Sequence, residues 1–222
     1  MRVDWYGQSA FQLSTADQTV FIDPFGDMSG AAAHGITFEY PAITGIEADL
    51  LLITHEHVDH NAVDAIGGDP VVIRSTAGTL ESPVGEVVGI ASEHDDVAGT
   101  QRGPNSIYRF DFDGVKVAHF GDFGQSELRS AQRDAVGEVD LLFIPVGDGP
   151  TIGPDGAFEI VHALAPRWVV PMHYRTPRIS FLETADTFLA RYPDVERLEV
   201  PHFDTEDLRH ADGPLIVVPA AP

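Results

Sequence analysis

Four short runs in this chain lack the polar alternation of a strand with one wet face: Asp49–Thr54 (DLLLIT), Val115–Phe120 (VKVAHF), Leu141–Val146 (LLFIPV) and Trp168–Met172 (WVVPM). Such runs belong to strands buried on both sides. A chain built from them has to form sheets with something packed on each face, and helices are the expected cover. Three of the runs stop on residues able to bind cations. The first ends in Thr54-His55-Glu56-His57-Val58-Asp59-His60-Asn61, the second in Gly121-Asp122 and the fourth in His173.

Strands are also expected at Val3–Tyr6, Phe11–Leu13 and Thr19–Ile22, followed by a Gly- and Ala-rich loop from Asp23 to about Glu47. Loops of that length in compact domains are often lids or binding loops. Asp113-Gly114, between Ile107–Phe112 and Val115–Phe120, is a hairpin signal. Pro171 predicts that strand pairing ends there. Helices are expected at Ser126–Ala135, at about Asp155–Ala165 and at Ser180–Arg191, the last from Phe181, Ala185, Phe188 and Leu189 at helical spacing. Leu215–Val218 reads as a final strand. No repeat or linker divides the chain, so one domain over residues 1–222 is expected.

The histidine run has a geometric logic. His55 and His57 lie two apart, so on an extended strand end both imidazoles point the same way. Asp59 and His60 follow as the chain turns, and can face a second point a few Å away. Ser92-Glu93-His94-Asp95 offers another histidine in a loop-like context. A divalent ion such as zinc takes about four ligands. One set can be His55, His57 and His94, the other Asp59, His60 and His173, with Asp122 bridging through its two oxygens. Two ions about 3.5–4 Å apart lower the pKa of a shared water and clamp the substrate oxygen during attack. With 10 His and 22 Asp in 222 residues, H-x-H-x-D-H arises by chance in roughly 0.002 of such chains, so the signal is strong. Asp59 and His60 are the candidate catalytic residues; Asp59 either orients the attacking water or only ligates. Two divalent ions are expected, zinc first, with Mn2+, Fe2+ and Ni2+ also compatible with a His/Asp set.

The HEHVDH run, His94, Gly121-Asp122 and His173 resemble the metallo-β-lactamase-fold hydrolases. Trp5-Tyr6-Gly7 to Phe11, Phe21-Ile22-Asp23-Pro24-Phe25, Arg102-Gly103-Pro104-Asn105 and Pro171-Met172-His173-Tyr174 are similar to the branch holding the ascorbate 6-phosphate lactonase-like proteins. The resemblance covers residues 1 to about 175. It implies a four-layer αββα sandwich with metals at one edge, and the seven residues above as the ligand set. Gln8 and Gln125 depart from the branch pattern, which has histidine at both positions; neither is a ligand, so the departures bear on substrate choice. Arg102, Asn105, Tyr174 and Arg175 are candidates for holding the substrate. For Arg102 and Asn105 the alternative is pinning the loop that carries His94, and for Arg175 a solvated salt bridge. His34 can reach the pocket from the long loop, and His119 reads as a core histidine.

Composition narrows the partners. The chain has 35 acids against 13 bases, a net charge of −22, and Lys116 is its only lysine. An Asp-rich, Lys-poor surface resembles cytosolic proteins of salt-accumulating halophiles, since molar salt screens its self-repulsion. No basic stripe exists to neutralise phosphates, which excludes nucleic acid as a partner. No apolar run approaches the length of a membrane span, and the N-terminus lacks a signal-peptide core, so a cytoplasmic protein is expected. The absence of cysteine removes disulfides and thiolate ligands. The expected activity is hydrolysis of a small soluble ester, lactone or phosphoester, of lactonase or phosphodiesterase type, by a protein that can also be a homo-oligomer. The alternative is a non-hydrolytic metal-binding, sensor or redox protein on the same scaffold.

Overall fold

A computed structural model describes residues 1–222. In chain order the strands are β1 (Arg2–Gly7), β2 (Ala10–Ser14), β3 (Thr19–Ile22), β4 (Ile46–Glu47), β5 (Leu50–Ile53), β6 (Ile66–Gly67), β7 (Val71–Arg74), β8 (Gly78–Ser82), β9 (Gly85–Glu93), β10 (Pro104–Phe112), β11 (Val115–His119), β12 (Leu141–Pro145), β13 (Trp168–Met172), β14 (Val195–Arg197), β15 (His202–Asp204) and β16 (Leu215–Val218). Three α-helices, α1 (Ser130–Val136), α2 (Pro154–Leu164) and α3 (Asp186–Leu189), and two 3-10 turns complete the chain. A six-stranded sheet has the order β15-β1-β2-β3-β5-β7, and an eight-stranded sheet the order β14-β16-β13-β12-β11-β10-β9-β8. These are the two inner layers of the expected αββα sandwich.

The non-alternating runs are buried on both faces, as their composition requires. Val20, Ile22, Leu50 and Leu52 enter the main core, which includes the strands of both sheets. Phe21, Leu51 and Ile53, one residue out of phase, enter a second core with Phe25, Tyr40 and Ile43. Alternate side chains of a strand point to opposite faces, so each apolar run serves two cores. Helical residues Val136, Ala157, Ile160, Val161, Phe188 and Leu189 belong to the main core. The long segment after β3 supplies the cover over the six-stranded sheet through Phe25, Tyr40 and Ile43, while its 3-10 turn at Ser29–His34 buries no residue.

Three expectations need correction. The helix expected over Ser180–Arg191 is a single turn, Asp186–Leu189. The backbone of Glu183 is taken by tertiary partners: its N–H donates to the Gly147 carbonyl (2.7 Å) and its carbonyl accepts from Arg175 (2.8 Å), which breaks a helical ladder there. Pairing does not end at Pro171. β13 stops pairing with β16 at Val169, but continues beside β12 to Met172. Helix α1 begins at Ser130, not Ser126, because Gln132 reaches back to cap the Arg129 N–H at 3.0 Å. No helix is long and apolar enough to cross a membrane.

Candidate metal centre

The C-terminal ends of β3, β5, β9, β11 and β13 meet at one rim of the sandwich. They deliver Asp23, His55, His94, Asp122 and His173. The rim is stapled across the two sheets: the Ser106 N–H donates to the Thr54 carbonyl (2.9 Å) and the Tyr108 hydroxyl to the Ile53 carbonyl (3.0 Å). After β5 the chain alternates. Glu56 points outward, where Arg74, Ser75 and Asn61 bind it and hold its carboxyl down at about 2. His55 and His57 turn inward, and their ring centroids lie 4.7 Å apart.

Asp122 Oδ2 lies at the middle of the cluster. His94 Nε2 is 3.1 Å from it, His173 Nε2 3.2 Å, His60 Nε2 3.3 Å and His55 Nε2 3.8 Å. On either side stand two donor sets, His55/His57/His94 and Asp59/His60/His173, each with its donor atoms within 4.8 Å of one another. The Asp122 backbone is fixed by Asn105 Oδ1, which accepts its N–H at 3.1 Å. The preceding Gly121 has φ +55°, and a Cβ there would meet Asn105 Oδ1 at 2.4 Å and Thr54 Oγ1 at 2.6 Å. Gly147 is equally confined, because a Cβ would sit 2.1 Å from the His173 carbonyl.

The electrostatics are those of a cradle short of positive charge. Burial pushes the His55 and His57 imidazoles down. Burial acts on His60 in the same direction, but Asp122 and Asp59 outweigh it and raise His60 well above its ordinary value. Burial alone would raise Asp122 and Asp59; the surrounding histidines, His173 and His60 for Asp122 and His60 for Asp59, hold both carboxyls low. His55 Nε2 and His60 Nε2 are buried with no hydrogen-bond partner. Such orphaned nitrogens beside an ionised carboxylate suit divalent cations, which favour neutral imidazole and carboxylate donors. The residues present therefore fit a metal centre.

The other candidates separate clearly. His60 spends Nδ1 on Asp23 (3.1 Å) and aims Nε2 into the cradle, so no atom of it faces solvent. The Asp59 side chain is 19% exposed, against 3% for Asp122, which makes Asp59 the accessible carboxylate. Asn105 is not free to hold a substrate: its amide donates to Ser92 Oγ and the Phe120 carbonyl, both at 2.8 Å. Tyr174 is corrected too, since its ring is buried in the core and stacks on Trp5 at 5.8 Å. Arg175 is exposed near Glu183. Arg102 is exposed and lines a polar cavity of about 380 Å³ with Asp95, Gln125 and Asp148, a cavity none of the seven clustered residues lines. Its backbone N–H donates to Asp95 Oδ2 at 2.7 Å, which ties down the loop after His94. The Gln125 amide is held by Glu93, Glu127 and Gln132. His34 is exposed on its 3-10 turn, and His119 is buried, bonded to the Ser9 carbonyl.

One member of the site was not singled out from the sequence. Asp23, fully buried, accepts from the Thr54 N–H (2.8 Å), the Thr54 hydroxyl (2.7 Å) and His60 Nδ1 (3.1 Å). Its signal was available: Thr19–Ile22 ends on a carboxylate just as the other buried runs end on Asp or His. Asp23, Gln8 and His173 all hold positive φ (51°, 52° and 50°), backbone strain that only a well-packed site sustains.

The model of the beta-lactamase superfamily domain matches residues 2–173. A UPF0173 metal-dependent hydrolase of Thermococcus kodakarensis is 30% identical over 208 aligned positions, covering 79% of this chain and 85% of the relative. A Thermotoga maritima crystal structure, described as a candidate Zn-dependent hydrolase of the metallo-beta-lactamase superfamily, superposes with a TM-score of 0.77 at 28% identity, over 98% of this chain and 97% of that one. A diiron β-hydroxylase of Streptomyces venezuelae shares the fold alone, with a TM-score of 0.55 at 19% identity over 78% of this chain and 44% of that one.

Proposed function

This chain belongs to the beta-lactamase superfamily, among its UPF0173 metal-dependent hydrolases, and from that premise we propose that its rim binds two divalent cations, zinc foremost, to hydrolyse a small soluble ester, lactone or phosphoester. The observation that carries this reading is the convergence of four imidazole nitrogens within 3.1–3.8 Å of one Asp122 oxygen, with a three-residue donor set on each side. His55, His57 and His94 would hold one cation, Asp59, His60 and His173 the other, and Asp122 would serve both. Bound cations supply Lewis acidity: they lower the pKa of water and stabilise charge building on a carbonyl or phosphoryl oxygen. The protein's own part is positioning and proton handling. Asp59, the solvent-accessible carboxylate, orients the incoming water and takes its proton. Asp23 and Thr54 fix the rings of His60 and His55 through Nδ1, leaving both Nε2 atoms for the cradle. A lactone of the ascorbate 6-phosphate lactonase-like kind falls within this substrate class.

The test is cation content together with turnover. Protein purified in molar KCl and reconstituted with Zn2+, Mn2+ or Fe2+ is expected to carry two ions per chain by elemental analysis. It should then hydrolyse members of a panel of p-nitrophenyl esters, lactones and phosphodiesters. Two ions with no turnover on any class would favour the sensor or redox reading, for which the shared scaffold of a diiron hydroxylase is the supporting observation. One ion or none would refute the two-cation centre.

The working medium is part of the same reading. A net charge of −22 on 9656 Å² is about one negative charge per 440 Å², which supports a salt-rich cytoplasm in a halophilic host. Raising KCl from 0.1 to 2 M shortens the screening length from about 10 Å to 3 Å or less. The thermal midpoint is expected to rise by about 10 °C as self-repulsion is screened. A midpoint that stays flat or falls, followed by circular dichroism, would contradict the assignment.

A further inference from the structure

The turn between β1 and β2 reaches the Asp59/His60/His173 side of the cradle, and Gln8 is its centre. The Gln8 side chain is 1% exposed. Its Nε2 lies 3.1 Å from Asp59 Oδ2. A carboxylate only accepts, so the amide must present its N–H2 there and cannot be flipped. That orientation leaves Gln8 Oε1 buried without a donor. Its backbone is held on all sides. The Gln8 carbonyl accepts from Trp5 Nε1 at 3.1 Å and from the His173 N–H at 3.4 Å. Gly7 lies so close under Tyr40 that a Cβ would meet the ring at 2.3 Å. Gln8 itself sits at φ +52°, a conformation costly for any residue with a Cβ. A glutamine that is strained, buried and half-unsatisfied makes sense only through what its amide touches.

We propose that Gln8 is a positioning residue for Asp59: its amide holds Oδ2 on the His60 side of the cradle and leaves Oδ1 as the oxygen that handles the water proton. This rests on the two-cation reading and deepens it. Asp59 Oδ2 is 3.6 Å from His60 Nε2, so the oxygen that Gln8 holds is the one placed to ligate beside His60 and His173. No hydrogen bond links the Gln8 side chain to His55, His57 or His94, whereas one links it to Asp59, so the two cation sites should respond differently to its loss. The donor is also neutral, so it fixes the carboxylate without offering a proton of its own.

Cation titration by calorimetry, with Zn2+ and Co2+ as probes, tests this on the full chain. Gln8→Gly removes the side chain and relieves the positive φ, so the thermal midpoint should hold or rise. Gln8→Met keeps the shape and removes the donor. In both variants one of the two affinities should fall 10–100-fold, the usual loss when a ligand's outer partner is removed. The other should stay within twofold. The Co2+ absorption of the ion whose affinity falls should change, and kcat on a substrate that the wild type turns over should fall with KM little altered. If neither affinity moves in Gln8→Gly or Gln8→Met, the positioning role is overturned. If both affinities fall together with the thermal midpoint, Gln8 is only a structural part of the turn and the proposal is again overturned. A wild type that binds a single cation overturns the two-cation reading, and this role with it.

Discussion

Asp122→Ala is expected, on the two-cation reading, to reduce cation content to one per chain or none, and to lower kcat/KM by about a thousandfold or more, a loss of ~4 kcal/mol in transition-state stabilisation. The reason is the position of one oxygen. Asp122 is the only carboxylate that places an oxygen, Oδ2, within 3.8 Å of imidazoles from both donor sets. Without it, His55, His60, His94 and His173 face one another around a buried space with no negative charge at its centre, and two cations held there would repel each other undamped. Asp122→Asn keeps the shape and removes the charge. It should retain one cation and fall between the wild type and the alanine variant. Elemental analysis and steady-state rates on any substrate of the wild type decide the matter. Full cation content in Asp122→Ala would mean that the carboxylate is not shared.

Asp23→Ala is expected to destabilise the fold by about 3–5 kcal/mol, because it strips partners from a buried N–H, a hydroxyl and an imidazole at once. For a chain of this size that is a drop of about 10 °C or more in the thermal midpoint. Asp23 sits at φ +51°, a conformation asparagine tolerates, so Asp23→Asn isolates the electrostatic part from the backbone part. Asparagine offers one acceptor to three donors, and its NH2 would face a donor, so it should recover only a fraction of the loss. In both variants cation affinity should fall 10–100-fold as the His60 ring loses its anchor. A midpoint within 2 °C of the wild type in Asp23→Ala would show that water replaces the carboxylate freely. Thr54→Val offers a check: it removes the hydroxyl between Asp23 and His55 Nδ1 while leaving Asp23 bonded to His60.

The site was largely readable from the chain because it is written in strand ends. His55, Asp122 and His173 each follow a run buried on both faces, and parallel strands that share an edge bring their ends together. His94 was harder, since β8 and β9 carry exposed Gly, Thr, Glu and Ala at irregular spacing and show no period. Tyr174 follows His173 yet turns into the core, and Asn105 is spent on Ser92, Phe120 and the Asp122 backbone. At Tyr174 the cause is local: His173 holds φ +50°, and the alternation that would have turned its neighbour outward is broken. The helix expected at Ser180 failed for a tertiary reason, the capture of the Glu183 backbone by Gly147 and Arg175, which no local pattern encodes. Asp23 carries the same strand-end signal, but its bonds to Thr54 and His60 form only once β3 lies beside β5.

The donors of the cradle are drawn from residues 55 to 173 and from both sheets. Bringing His60 beside His173 closes a loop of more than a hundred residues, an entropic debt that only long-range strand pairing can settle. Cations therefore cannot nucleate this chain as they do a zinc finger, whose ligands lie close in sequence. Cations that bind after the last long-range contacts have locked would act as a latch, their binding free energy added to the native state and withheld from the transition state. Chelation should thus speed unfolding many-fold while leaving the rate of refolding nearly untouched.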